Sequence, residues 1–113
     1  MRDSVIKILE DTNKLLRSKK YWTKGANQRW VEETKNTSYC LQGALECAGY
    51  SLNTFNDFSE AKDILRTQIR GQEDNRNIVA YNDQPRRKFE DIKALLKRAI
   101  KKAKALKEER GVS

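Results

Sequence analysis

Apolar residues return every three or four positions along three long stretches of this chain, a period that an amphipathic helix needs and a strand cannot use. The first stretch opens at Asp3 or Ser4 as N-cap and sets Val5, Ile8, Leu9, Thr12, Leu15 and Leu16 on one face, widened by Ile6. That spacing predicts a helix to Ser18. A second stretch, Ala61, Ile64, Leu65, Gln68 and Ile69, is entered through Asp57 and Glu60 at capping-box spacing and ends at Gly71. The third runs from Arg87 to Glu109, with Phe89, Ile92, Leu96, Ala99, Ala103 and Leu106 alternating by threes and fours and Leu95 and Ile100 beside them. A seam this short favours packing within its own bundle over pairing with a second copy.

Between these stretches the pattern is weaker. After Ser38 as N-cap, Leu41, Ala44, Leu45 and Ala48 outline a short helix of small residues that Gly49 is placed to stop. Gly71 to Asn77 reads as a polar loop, and Ile78, Val79 and Tyr81 as a brief extended or irregular segment closed by Pro85. The expectation is an all-α fold, a compact bundle of about four helices with irregular connections and a long basic C-terminal helix. At 113 residues it forms one helical domain over residues 1–110 with a tail at 111–113.

Charge is distributed unevenly. Residues 1–31 carry eight basic and three acidic groups, residues 32–83 five and nine, and residues 84–113 eleven and four. If the terminal helices lie side by side, their cations merge into a positive face suited to phosphates, acidic proteins or an anionic membrane. The plain alternative is a solvated surface. No stretch approaches the length of a membrane-spanning helix and no signal-peptide core opens the chain, so a cytoplasmic protein without membrane contact is expected.

The chain has no histidine, which removes Cys-His and Ser-His nucleophilic schemes and histidine-containing zinc sites. Cys40 and Cys47 lie seven positions apart on one helix, too far along the axis to bridge. Cys40, in the first turn after Ser38, is the best nucleophile candidate, because a helix N-terminus lowers a thiol pKa. Its plainer role is a packed small residue. We expect no enzyme, although a Cys40-dependent activity stays open, and neither a cofactor nor a metal.

Three islands of aromatic, small and polar residues interrupt the helical pattern: Tyr21-Trp22-Thr23-Lys24-Gly25-Ala26, Ser38 to Ala44, and Tyr81-Asn82-Asp83-Gln84-Pro85. Around the first, no acidic residue falls between Asp11 and Glu32, while Lys14, Arg17, Lys19, Lys20, Lys24 and Arg29 are interleaved with Tyr21, Trp22 and Trp30. Rings beside cations suit nucleotides or single strands. At least one of the two tryptophans is nevertheless expected in the core. In the third island Asn82 and Asp83 make a tight turn before Pro85, and Arg86 and Arg87 could fork onto a carboxylate or phosphate. Alternatively Asn82 and Asp83 cap backbone groups and hold the last helix to the core.

Trp22-Thr23-Lys24-Gly25-Ala26, the run Cys40 to Leu45 with its C-x-x-G-A-L pattern, and Tyr81-Asn82-Asp83 with Pro85 and Arg87 resemble, in that order, a family of small uncharacterised bacterial and phage proteins. That family carries a C-x-x-G-A helix and a W-N-D-x-P-x-R-T turn leading into its last helix. Here Tyr81 stands where the family has Trp and Lys88 where it has Thr, which removes an expected N-cap and leaves Asp83 as the substitute. The resemblance implies a compact helical domain in a bacterium or its phage, and no activity.

The function expected is non-catalytic binding of an anionic partner, a nucleotide-like ligand or nucleic acid, by a phage-encoded interference or counter-defence factor. Trp22, Lys24, Arg29, Tyr81, Asn82, Asp83, Arg86 and Arg87 would supply rings, polar groups and cations. The rival is a protein-interaction module or inhibitor that docks an acidic partner protein through its basic terminal helices.

Overall fold

The widened apolar stripe of the first helix gives it more than one side to bury, and it becomes the centre of the fold. In a computed structural model, which describes residues 3–50, 55–69 and 77–111, α1 (Asp3–Leu15) packs against α2 (Leu41–Tyr50), α3 (Phe55–Thr67) and α5 (Phe89–Gly111). Val5, Ile8 and Leu9 are fully enclosed there. Each such side chain contributes about 1.5–3 kcal/mol relative to an exposed one. Helix α1 stops at Leu15, three residues before the expected end, and Leu16 closes the last turn on the carbonyl of Thr12.

The seam of α5 faces inward as its period requires: Ile92, Leu95, Leu96, Ala99 and Ala103 all belong to the common core. Helix α5 runs antiparallel to α1, with Lys93 Nζ donating to the carbonyl of Asn13 (2.9 Å) near one end and Lys107 paired with Asp3 near the other. Lys104 adds an ion pair to Glu10 at 3.5 Å. The terminal helices do lie side by side, yet part of their opposite charge is spent across the contact rather than merged into one positive face. The helix reaches Gly111, inside the stretch read as a tail, and the last two residues lie outside those described.

Helix α3 begins at Phe55, so Asp57 sits inside its first turn rather than at the N-cap, and its buried carboxylate accepts the hydroxyl of Ser4. The expected stop at Gly71 and most of the polar loop after it lie outside the described residues. Ile78, Val79 and Tyr81, expected to be extended or irregular, form a short helix α4 (Ile78–Asp83). The physical reason is Asn77: its side chain accepts from the N–H of Ala80 at 3.0 Å and supplies the N-cap that the short apolar run conceals.

The all-α expectation is overturned by a two-stranded antiparallel sheet, β1 (Gln28–Val31) and β2 (Asn36–Tyr39), with Gln28 opposite Tyr39 and Val31 opposite Asn36. Among the described residues the fold is therefore mixed, with five α-helices, one turn of 3-10 helix at Lys19–Tyr21 and this hairpin. Residues at 22–23 extend the sheet on its β2 side: Trp22 bridges Tyr39 in parallel, and Thr23 N–H donates to the Tyr39 carbonyl at 3.0 Å. The hairpin turn carries no glycine. Lys35 takes the left-handed conformation (φ 52°), and its N–H closes on the carbonyl of Glu32.

Candidate functional site

All three islands meet at the N-terminus of α2. Leu41 N–H, an orphan donor of the first helical turn, is taken by the side-chain oxygen of Asn82 at 3.0 Å. The same oxygen accepts the indole N–H of Trp22 at 2.6 Å. Asn82 Nδ2 donates to the carbonyl of Thr23 (3.0 Å) and to Asp83 Oδ1 (2.9 Å). Asn82 has no exposed surface, and these four bonds use both lone pairs and both N–H groups of its amide.

The remaining polar groups close around that amide. Asp83 Oδ1 also accepts Gly25 N–H at 3.0 Å, and the φ of 81° at Gly25 is the backbone state that presents this donor. Lys24 Nζ donates to the carbonyl of Gln84 at 2.7 Å and lies 5.4 Å from the centre of the Trp22 ring. Arg87 stacks its guanidinium 3.5 Å over Tyr81, and donates from Nε to the Tyr81 carbonyl and from its terminal nitrogen to Gln84 Oε1, each at 2.8 Å. Trp22, half-buried, tilts against Phe89 with ring centres 6.0 Å apart.

Six of the eight residues singled out in the sequence, Trp22, Lys24, Tyr81, Asn82, Asp83 and Arg87, thus converge in one junction and bond to one another or to backbone. Arg29 and Arg86 stand outside it, both exposed. Of the tryptophans, Trp22 packs against the core, whereas Trp30 on β1 is 59% exposed. Asp83 is engaged with Gly25 and Asn82, so it does not cap α5. Lys88 precedes that helix, and its N–H is accepted by Asp91 Oδ2 at 3.0 Å, the reciprocal half of a capping box, without the Thr.

Cys40, not Ser38 as the sequence spacing predicts, occupies the N-cap position of α2. Ser38 lies in β2, buried, donating its hydroxyl to the Lys20 carbonyl at 2.7 Å. Cys40 Sγ accepts Gly43 N–H at 3.2 Å. Helix-end donors do favour the thiolate, but burial outweighs them and raises the Cys40 pKa above its ordinary value, with Asp83 and Glu46 adding to the rise. The expected activation of this thiol is reversed. Native protein should therefore react with a thiol reagent at exposed Cys47 alone, Cys40 becoming available only on unfolding. Mass-spectrometric labelling near neutral pH checks this, and a native Cys40 that reacts as fast as free cysteine would contradict it.

One contact explains the glycine of the C-x-x-G-A pattern. A Cβ on Gly43 would lie 1.9 Å from the carbonyl oxygen of Asn27, the same oxygen that accepts Cys40 N–H at 3.0 Å. The hairpin backbone therefore rests directly on α2, which fixes how β1 leaves the junction. A groove of about 420 Å³ lined by Lys97, Ile100, Lys101, Lys104, Ala105 and Glu108 lies along α5 and shares no residue with the junction. Among the described residues no group of three or more His, Cys, Asp or Glu side chains is arranged to hold a metal ion, and no helix is long and apolar enough to cross a membrane.

What sequence reasoning missed is the hairpin as a surface. Trp30 and Arg29 stand out in the sequence as ring and cation, but the strand that turns them to opposite faces does not. The strand-favouring residues Trp30 and Val31, then Thr37 and Tyr39, on either side of the polar run Glu32 to Asn36, were the available signal. The family described as "Family of unknown function (DUF6197)" matches residues 1–102. No curated protein and no solved structure matches the chain.

Proposed function

The chain belongs to the DUF6197 family of unknown function, and from the geometry of this member we propose a non-catalytic binding module for an anionic macromolecule. One observation carries the reading. The junction spends its amide, carboxylate and most of its cations internally, while Lys19, Lys20, Arg29, Trp30 and Arg86 face solvent. A nucleotide held between Trp22 and Asn82 would have to break bonds already made in a buried place, each worth about 0.5–1.5 kcal/mol. A partner that lies on the surface meets exposed cations and the exposed ring of Trp30. A small module of this kind suits an interference factor of bacterial or phage origin, which acts by occupying a partner rather than by turning over a substrate.

Binding to polyglutamate and to a single-stranded oligonucleotide, followed over a salt titration, tests the proposal. Affinity for at least one polyanion should appear at low salt and fall as salt rises. The double variant Lys20→Glu, Arg29→Glu should weaken it by about tenfold or more, the effect of reversing two cations at a binding surface. No affinity for either polyanion at low salt would end the proposal.

A further inference from the structure

The hairpin has one closed edge and one open edge. On its β2 side, residues at 22–23 complete the sheet; on its β1 side no described strand pairs with it. The bond from Cys40 N–H to the Asn27 carbonyl fixes which backbone groups point outward. In an antiparallel ladder hydrogen-bonded pairs alternate, so with Gln28 opposite Tyr39 the pairs Arg29 with Ser38 and Val31 with Asn36 bond inward. Gln28 and Trp30 then direct their N–H and C=O groups away from β2. The other edge agrees: Tyr39, opposite Gln28, turns its carbonyl away from β1 and gives it to Thr23.

The two faces of this open strand differ chemically. Arg29 is opposite Ser38, whose hydroxyl reaches the Lys20 carbonyl, so Arg29 shares a face with the exposed Lys19 and Lys20. Trp30 is opposite Thr37 on the other face and diagonal to half-buried Tyr39, within reach of an aromatic side chain. The carboxylate of Glu32, at the end of the strand, is already held by the Trp30 indole N–H (3.0 Å) and by Lys35. One face thus calls for carboxylates and the other for apolar groups.

We infer that the outer edge of β1 receives an extended acidic segment of a partner protein as an added strand, its alternate carboxylates meeting Arg29, Lys19 and Lys20 and its alternate apolar side chains lying on Trp30. This rests on the anionic-partner reading above and names the partner class. Main-chain bonds to Gln28 and Trp30 supply affinity, and the two faces supply selectivity. A DNA backbone offers phosphate acceptors but no donors for the outward carbonyls of Gln28 and Trp30.

The probe is an acetylated, fluorescein-labelled nine-residue peptide alternating Glu and Val, with a control of equal composition arranged as a Glu block and a Val block. Gln28→Pro removes one outward N–H without touching the inward ladder, and Gln28→Ala keeps it. Anisotropy should show the alternating peptide binding more tightly than the block peptide. The Pro variant should be weaker than the Ala variant by about tenfold, the scale of one or two lost backbone bonds.

In the wild-type protein, hydrogen exchange at the amides of Gln28 and Trp30 should slow on peptide addition, a readout that does not depend on how the Pro variant folds. Equal binding by the Pro and Ala variants, with unchanged exchange at both amides, would overturn strand addition. If Arg29→Glu still weakened binding in that case, the anionic-partner reading would survive. Protection of the same amides by raised protein concentration alone would assign the edge to a second copy, and an equally charged oligonucleotide that binds more tightly would assign it to nucleic acid. Either result would overturn the inference.

Discussion

Replacing Asn82 with Ala is expected to cost about 3–5 kcal/mol, because three groups lose their partner at once and each unsatisfied buried polar group costs about 1–3 kcal/mol. Leu41 N–H is at the buried start of α2, while the Trp22 indole N–H and Thr23 carbonyl are half-buried and recover part of the loss through water. A domain of this size is stabilised by about 5–15 kcal/mol in all, so much of its margin would go. The melting temperature should fall by roughly 15 °C. Asn82→Asp separates the two halves of the interaction. It keeps an acceptor for Trp22 and Leu41 but sets acceptors against the Thr23 carbonyl and Asp83, and should be about as damaging as Ala. A loss below about 1 kcal/mol in chemical denaturation of either variant would show that this amide does not hold the junction.

Gly43→Ala should destabilise by about 2–4 kcal/mol, although an alanine in a helix interior ordinarily gains about 1 kcal/mol over glycine. The new methyl would meet the Asn27 carbonyl oxygen at 1.9 Å, and that neighbour is backbone with no rotamer to change. Relief requires the hairpin to lift from α2, which also strains the bond from Cys40 N–H to the same oxygen. Gly49→Ala is the control. Its Cβ meets the Phe58 side chain, 2.4 Å from Cδ2, and a side chain can rotate where a carbonyl cannot. Thermal denaturation of the pair should place Gly43→Ala well below Gly49→Ala; equal melting points would mean that the hairpin adapts freely.

The helices were legible wherever their apolar period was long. Val5 to Leu16 and Ile92 to Ala103 named their own buried faces, because a sustained period is set by burial on one side. Short elements escaped for local reasons. Helix α4 has six residues, too few for a period to show, and depends on the single cap from Asn77. The hairpin was hidden by the turn Glu32-Glu33-Thr34-Lys35, which lacks the Asn-Gly or Asp-Gly signal and relies on lysine in a conformation that glycine usually supplies.

That the islands carry binding or capping groups was readable from their chemistry, but their meeting at one point and the direction of their polar tips were not. Whether Asn82 faces a cavity or Trp22 depends on where residues 22 and 41 come to rest, and that is a property of the tertiary fold. Cys40 shows the same limit. Its place at a helix start was visible, whereas the burial that raises its pKa depends on how the surrounding segments pack.

The bonds that tie the third island to the first two join residues 41 to 61 positions apart, from Leu41 with Asn82 to Lys24 with Pro85. Closing loops of that length costs entropy before any contact repays it, so contacts of this kind form slowly. The junction cannot close before the third island is made, and a nascent chain still lacking residues 77–87 would carry Trp22 and the start of α2 without their partner. For this protein, synthesis of the final third is a condition for closing the first.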